Sequence, residues 1–230
     1  MKKLIETSNW KNIFNTLEKW HKKANTEDPS VTTVAEQYSR NPLVNKPWAV
    51  LVSTIISLRT KDEVTLIASK RLLEKAGSPE KLHSLNESTI EKLIYPAGFY
   101  RNKTASLKKI AAILIQQYGG KVPASMEELL ALPGVGRKTA NLVLNEAFNI
   151  DAICVDIHVH RISNRCGWLS GKNPDETEMI LREILPRKYW KRINYLLVLY
   201  GQKICRPVSP FCSRCVIVEY CKRNEVKLYR

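Results

Sequence analysis

Long apolar runs are missing from this chain of 230 residues. No stretch of about 18 or more apolar residues occurs, so no membrane-spanning helix is expected. The opening MKKLIETSNWKNIFNTLEKW has no apolar core, because Glu6 and Asn9 interrupt it, and a secretory leader is not expected either. Glycine is scarce, with only 9, and it marks breaks rather than forming tracts. Segments that alternate with period two are few, so strands find no support and the chain reads as all-α. Acidic residues are outnumbered, 22 Asp and Glu against 37 Lys and Arg, for a net charge of +15. Such an excess suits a polyanionic partner, most simply nucleic acid; a merely lysine-rich protein is the plainer alternative. Without a leader the compartment is expected to be reducing, and the six cysteines then need a reason other than disulfides.

What is present is helical patterning. Residues 10–25 form an amphipathic helix with Trp10, Ile13, Leu17 and Trp20 on one face. Pro29 and Pro42 bracket a short segment. PWAVLVSTIISL, at 47–58, is apolar on nearly every side and suits a central buried helix. Thr60-Lys61-Asp62-Glu63 has the form of a capping box with Thr60 as N-cap, which puts Leu58-Arg59 in a tight turn between helices. A turn at Ala97–Tyr100 precedes a helix running to Gly119-Gly120. Ser125 to Glu128 forms a second capping box and opens a short helix that reaches Leu132. Residues 175–204 read as helical. Residues 205–230 contain four cysteines and two prolines and read as a small irregular unit.

The stretch LPGVGRKTA, from Leu132 to Ala140, raises nucleotide binding. A P-loop needs glycine directly before its lysine, and here Arg137 stands there. A dinucleotide fingerprint needs a further glycine at Thr139 and a strand before the turn, and neither is present. A helix, a glycine turn and a second helix remain. Gly134 and Gly136 allow backbone N–H groups to point outward at a helix N-terminus, which favours an anion such as a phosphodiester. Projected at about 100° per residue, Ala140, Val143, Leu144 and Ala147 form the core stripe. Lys138, Asn141 and Asn145 fall opposite. A cation in the first turn is disfavoured by the helix dipole, so Lys138 is a candidate nucleophile as well as an ordinary surface lysine.

Asp156 follows the apolar run Ala152-Ile153-Cys154-Val155 and precedes a helical stretch. It is either an N-cap for the N–H of His158 or Val159, or a carboxylate held near Lys138 to stabilise positive charge and move protons. Cys154, His158 and His160 do not match a usual zinc spacing. His158 and Arg161 support the Asp156 segment or face phosphate.

Cys205, Cys212, Cys215 and Cys221 have the spacing C-x6-C-x2-C-x5-C. Four thiolates in a short proline-containing loop suit a soft metal centre. Only Cys212 and Cys215 form the close pair that zinc sites usually repeat, so an iron–sulfur cluster with four cysteine ligands fits better than zinc. Cys154 and Cys166 remain outside as buried apolar residues. Lys203, Arg206, Arg214, Lys222 and Arg223 interleave the loop, so the cluster would staple a DNA-binding loop; an electron carrier is the alternative.

Taken together, from about residue 28 to residue 223, these motifs resemble the endonuclease III family of the helix-hairpin-helix DNA glycosylase superfamily. The resemblance implies an all-α, two-lobed fold with a DNA-binding cleft and a C-terminal [4Fe-4S] loop. Residues 40–150 would be a six-helix barrel containing the hairpin at about 126–148, and 1–39 plus 151–230 the cluster domain. It implies a bifunctional DNA glycosylase and abasic-site lyase of base excision repair, which excises oxidised pyrimidines and cleaves the strand 3′ to the abasic site by β-elimination. Lys138 matches the Schiff-base nucleophile, Asp156 the essential carboxylate, and Cys205, Cys212, Cys215 and Cys221 the ligands of the [4Fe-4S] cluster. Arg101, Lys103, His158 and the hairpin residues Gly134, Val135 and Gly136 would contact DNA. Arg59 stands where the family more often has Gln to fill the gap left by the flipped base. Phe99 stands where it often has Leu as the wedge. The implied partner is double-stranded DNA with damaged pyrimidines or abasic sites, bound by a monomer away from membranes. The location would be cytoplasmic and nucleoid-associated in a prokaryote, nuclear or mitochondrial in a eukaryote. A mismatch glycosylase of the same superfamily and a non-catalytic hairpin DNA-binding protein are the competing assignments.

Overall fold

The computed structural model describes residues 7–27 and 46–230. The segment bracketed by Pro29 and Pro42 lies outside the described residues. Among those described there are eleven α-helices, three short 3-10 turns and no strand, so the all-α expectation holds. The chain divides into two compact units, Thr32–Ile150, and Met1–Val31 together with Asp151–Arg230.

The first unit is built around a helix, α2 (Lys46–Ser57), buried at nine positions from Trp48 to Ile56. Each fully buried Leu or Ile there contributes about 1.5–3 kcal/mol. Its two buried hydroxyls are tolerated because they bond within the helix: Ser53 Oγ donates to Ala49 O and Thr54 Oγ1 to Val50 O, each at 2.7 Å. Helices α3 (Asp62–Lys75), α6 (Tyr100–Tyr118) and α8 (Arg137–Phe148) pack on α2. Between α3 and α6 lie α4 (Pro79–Ser84), capped by Ser78 with proline at its start, and α5 (Glu87–Ile94), capped by Asn86. These satisfy N-terminal N–H groups that have no intrahelical partner. Helix α6 ends at Gly119 and Gly120, with φ +56° and +74°, where Gly120 N–H reaches back to Leu114 O at 2.9 Å. A short helix, α7 (Met126–Leu130), is capped by Ser125, whose hydroxyl accepts from Glu128 N–H at 3.3 Å and donates to the Glu128 carboxylate at 2.7 Å. It pairs with α8 across the glycine turn.

The expected capping box at Thr60 does not form. The N-cap of α3 is Lys61, with no side-chain cap bond. The Thr60 hydroxyl is engaged by partners far along the chain.

The second unit joins α1 (Thr7–Glu27) to α9 (Ile157–Arg165), α10 (Pro174–Ile184) and α11 (Trp190–Lys203). The α1 stripe is as expected and wider. Trp10, Ile13, Phe14 and Leu17 are all buried. Trp10 meets Trp168 edge-on at 5.1 Å between centroids, and Phe14 stacks on Tyr189 at 4.1 Å. Residues 175–204 are not one helix. Pro186 has no N–H to continue α10 and disfavours helical geometry at Leu185, so a 3-10 turn, Arg187–Tyr189, intervenes. Trp190 Nε1 donates to Leu185 O at 2.8 Å and closes this break. Beyond α11 the chain is irregular, with 3-10 turns at Cys212–Arg214 and Val218–Tyr220. Among the described residues no helix is long and apolar enough to cross a membrane.

Candidate active site

The glycine turn joins α7 to α8 as the sequence suggests. Leu129, Leu132 and Val135 anchor it in the core. Val135 N–H closes the turn on Leu132 O at 3.1 Å. Val135, expected among the DNA contacts, therefore spends both its side chain and its N–H inside the protein. Gly134 and Gly136 are the exposed members. Gly134 has φ +79°, and an added Cβ would lie 3.3 Å from Ser106 Oγ, so glycine is needed there. Gly136 is the N-cap of α8 and supplies no capping side chain, which leaves the helix start suited to an outside anion.

Lys138 is exposed in the first turn of α8. Asn141 and Asn145, expected on the same solvent face, are instead buried, at 0% and 7% exposure. Helix α8 is covered by both α2 and α7, so its wheel has little solvent face beyond the first turn.

Asp156 is the N-cap of α9. Its Oδ1 accepts from His158 N–H and Val159 N–H, both at 2.9 Å. The buried run Ala152–Val155 anchors the chain just before it. Both cap bonds go to Oδ1, so Oδ2 lies outside the cap. His158 is half-buried and turned onto α11, where a Cβ on Gly201 would come within 2.5 Å of its Nδ1. That Nδ1 lies 3.0 Å from Arg161 Nη2, which also donates to Gly201 O and Cys205 O. His158 and Arg161 thus brace the Asp156 segment against α11.

Arg59 and Phe99 are exposed residues on two turns of the first unit, and both adopt left-handed backbone, φ +52° and +56°. The Arg59 guanidinium lies 5.5 Å from the Phe99 ring centroid. Arg101 is exposed beside the Tyr100 ring. Lys103, expected to hold a phosphate, is buried at 6% exposure. Its Nζ donates to Ile56 O and Leu58 O at 2.6 Å and to Thr60 Oγ1 at 2.7 Å. Burial brings it down to about 8.

None of the six cysteines forms a disulfide, and Cys154 and Cys166 are buried. Cys205, Cys212, Cys215 and Cys221 line one cavity whose walls include Ile162, Phe211 and Ile217. Among the described residues no three Cys, His, Asp or Glu side chains gather as a single ion requires. The surroundings suit anionic sulphur. Arg165 Nη1 donates to Cys205 Sγ at 3.3 Å, and Tyr200 Oη to Cys215 Sγ at 3.2 Å while accepting Val216 N–H. The Cys166 thiol bonded to Cys221 brings the latter down to about 6, whereas burial pushes Cys215 up. Arg165 and Tyr200 carry no motif of their own. The one available signal is Arg165 standing four residues after Arg161, on the same helical face.

A family model described as HhH-GPD superfamily base excision DNA repair protein matches residues 52–187, which defines the class. Endonuclease III of Thermotoga maritima is 44% identical over 189 residues, 82% of this chain and 89% of that protein. Endonuclease III homolog 2, chloroplastic, of Arabidopsis thaliana is 41% identical over 94% of this chain, which spans only 58% of that longer protein. A solved trapped endonuclease III–DNA covalent intermediate, an estranged-adenine complex, is 31% identical with a TM-score of 0.76, covering 93% of this chain and 96% of that one. The chain belongs to the endonuclease III family of the HhH-GPD superfamily. Its activity is that of a base excision repair DNA glycosylase and lyase.

Proposed function

We propose that the chain excises oxidised pyrimidines from duplex DNA and cuts the strand at the abasic site it creates. The observation that carries this is an exposed lysine in the first turn of a helix entered through an exposed glycine turn. The backbone at Gly134 and Gly136, together with Arg101, holds phosphates and sets the register without reading sequence. The damaged base is extruded from the stack, Phe99 wedging the opposite strand and Arg59 filling the gap. Lys138 attacks C1′ as the glycosidic bond breaks, and the base leaves with its electron pair and takes up a proton. Asp156 stabilises the positive charge that develops at C1′ and moves protons. The resulting imine acidifies C2′; loss of that proton expels the 3′ phosphate, and water releases Lys138.

Cys205, Cys212, Cys215 and Cys221 hold a [4Fe-4S] cluster, which when bound cross-links the loop 205–221. Arg206, Arg214 and Arg223 in and beside that loop carry charge toward DNA. The unit that contains this loop is the cluster domain, and Thr32–Ile150 the hairpin domain. The enzyme acts as a monomer wherever its source keeps DNA: at the nucleoid, or in a nucleus or mitochondrion.

A duplex carrying one thymine glycol is expected to be cut at that site while the undamaged duplex stays whole. Cleavage products resolved on a denaturing gel decide it, and equal cutting of both duplexes would sink the assignment. The purified chain is expected to contain iron and to show broad visible absorbance, both lost in Cys215→Ser. A wild-type sample containing zinc and no iron would overturn the choice of cluster.

A further inference from the structure

The two exposed turns that present Arg59 and Phe99 are joined from below by one buried side chain. An ammonium has three protons, and Lys103 Nζ has three acceptors, Ile56 O, Leu58 O and Thr60 Oγ1, within 2.7 Å. Two of them are carbonyls at and just after the end of α2, where carbonyls lack intrahelical partners and a cation is favoured. The third, Thr60 Oγ1, also accepts Gly98 N–H at 3.0 Å and gives its own proton to Leu58 O at 3.3 Å. The backbones are in contact as well. A Cβ on Gly98 would lie 2.3 Å from Arg59 O. Left-handed backbone at a non-glycine residue costs about 1–2 kcal/mol, and both Arg59 and Phe99 adopt it. Something must hold this pair in place, because Phe99 is 61% exposed and has little packing of its own.

We propose that Lys103 is a positioning residue for base extrusion, its ammonium clamping the turn at 56–60 to the turn at 97–99 so that Arg59 and Phe99 enter DNA as one preset pair. This rests on the proposal above that those two residues are the ones that enter the stack. Methionine in its place keeps the length and removes the three ties, at the cost of leaving the Ile56 and Leu58 carbonyls without that donor. With the ties gone, each tip relaxes separately, and the pair must be assembled during extrusion. Lys103 touches neither the base nor the sugar in this scheme. It acts through the spacing of the two tips.

The test uses duplexes with 2-aminopurine beside a thymine glycol and follows its fluorescence by stopped flow. In parallel it follows cleavage of a single-stranded abasic oligonucleotide, which has no stack to open. Lys103→Met is expected to slow the fluorescence change about tenfold and to lower the ratio of duplex to single-strand cleavage by a similar factor. Thr60→Val, which removes one anchor, is expected to move both readouts in the same direction by less, and it serves if the Met variant is too unstable to purify. Equal losses on duplex and single strand would mean a merely structural role and overturn the proposal. Arg59→Ala and Phe99→Ala separate the two levels. If they slow the fluorescence change while Lys103→Met and Thr60→Val do not, the clamp alone is overturned. If neither alters it, the assignment of Arg59 and Phe99 falls, and the clamp falls with it.

Discussion

Lys138→Ala is expected to fold normally and to lose covalent capture on DNA. Lys138 is exposed at the start of α8, so its truncation opens no core cavity and should shift stability by no more than about 1 kcal/mol. Wild type treated with borohydride on abasic or thymine-glycol DNA gives a reduced, permanent adduct, because the imine has a nitrogen from the protein. The alanine variant has no amine at that position, and base release should fall by on the order of 10³-fold, since the nucleophile itself is gone. Adducts resolved on a denaturing protein gel read the first effect, and single-turnover kinetics the second. Wild-type yield of adduct from the alanine variant would remove Lys138 from the mechanism.

Asp156 offers a second large effect and a way to divide it. One oxygen caps α9, bonded to two N–H groups at 2.9 Å, and the charge of the carboxylate is assigned to the reaction. Asn caps helices about as well as Asp, whereas Ala costs about 0.5–2 kcal/mol. Asp156→Asn should therefore melt near wild type, and Asp156→Ala lower by that cost. Both should lose about 10²- to 10³-fold in single-turnover base release, as when one charge-stabilising group is taken from a transition state. Full activity in the Asn variant would reduce Asp156 to a cap. Equal destabilisation by Asn and Ala would show that the cap depends on the charge.

Local patterns were legible where local physics decides the outcome. The α1 stripe, the apolar helix α2, the helix–glycine–helix hairpin, the exposed Lys138 and the Asp156 cap all follow from period, turn chemistry and helix ends. Failures came where a distant partner decides. Thr60 satisfies a capping-box pattern, but its hydroxyl is taken by Gly98 and Lys103, 38 and 43 residues away. Lys103 looks like any surface lysine until α2 is seen to end beside it. Asn141 and Asn145 lie opposite the apolar stripe of α8, yet a helix covered from two sides has no solvent face there. Pro186 was a local signal outweighed by helical period on both sides. The close spacing of the four cysteines already suggests that they share one site, and they line one cavity, while Tyr200 and Arg165, which donate to two of the sulphurs, come from other stretches of the chain and share no spacing with them.

The aromatic face of α1 has a consequence for the order in which the protein is made. Trp10 and Phe14 pack on Trp168 and Tyr189, so their partners leave the ribosome roughly 150 or more residues later, well over five seconds at typical rates of synthesis. The unit Thr32–Ile150 is continuous in the chain and can close during that interval. Helix α1 waits with Trp10, Ile13, Phe14 and Leu17 uncovered, an apolar ridge available to chaperones or to other nascent chains. Truncated or stalled products that end between the two units would therefore carry one finished domain and one exposed ridge, and aggregation should start from the N-terminal end.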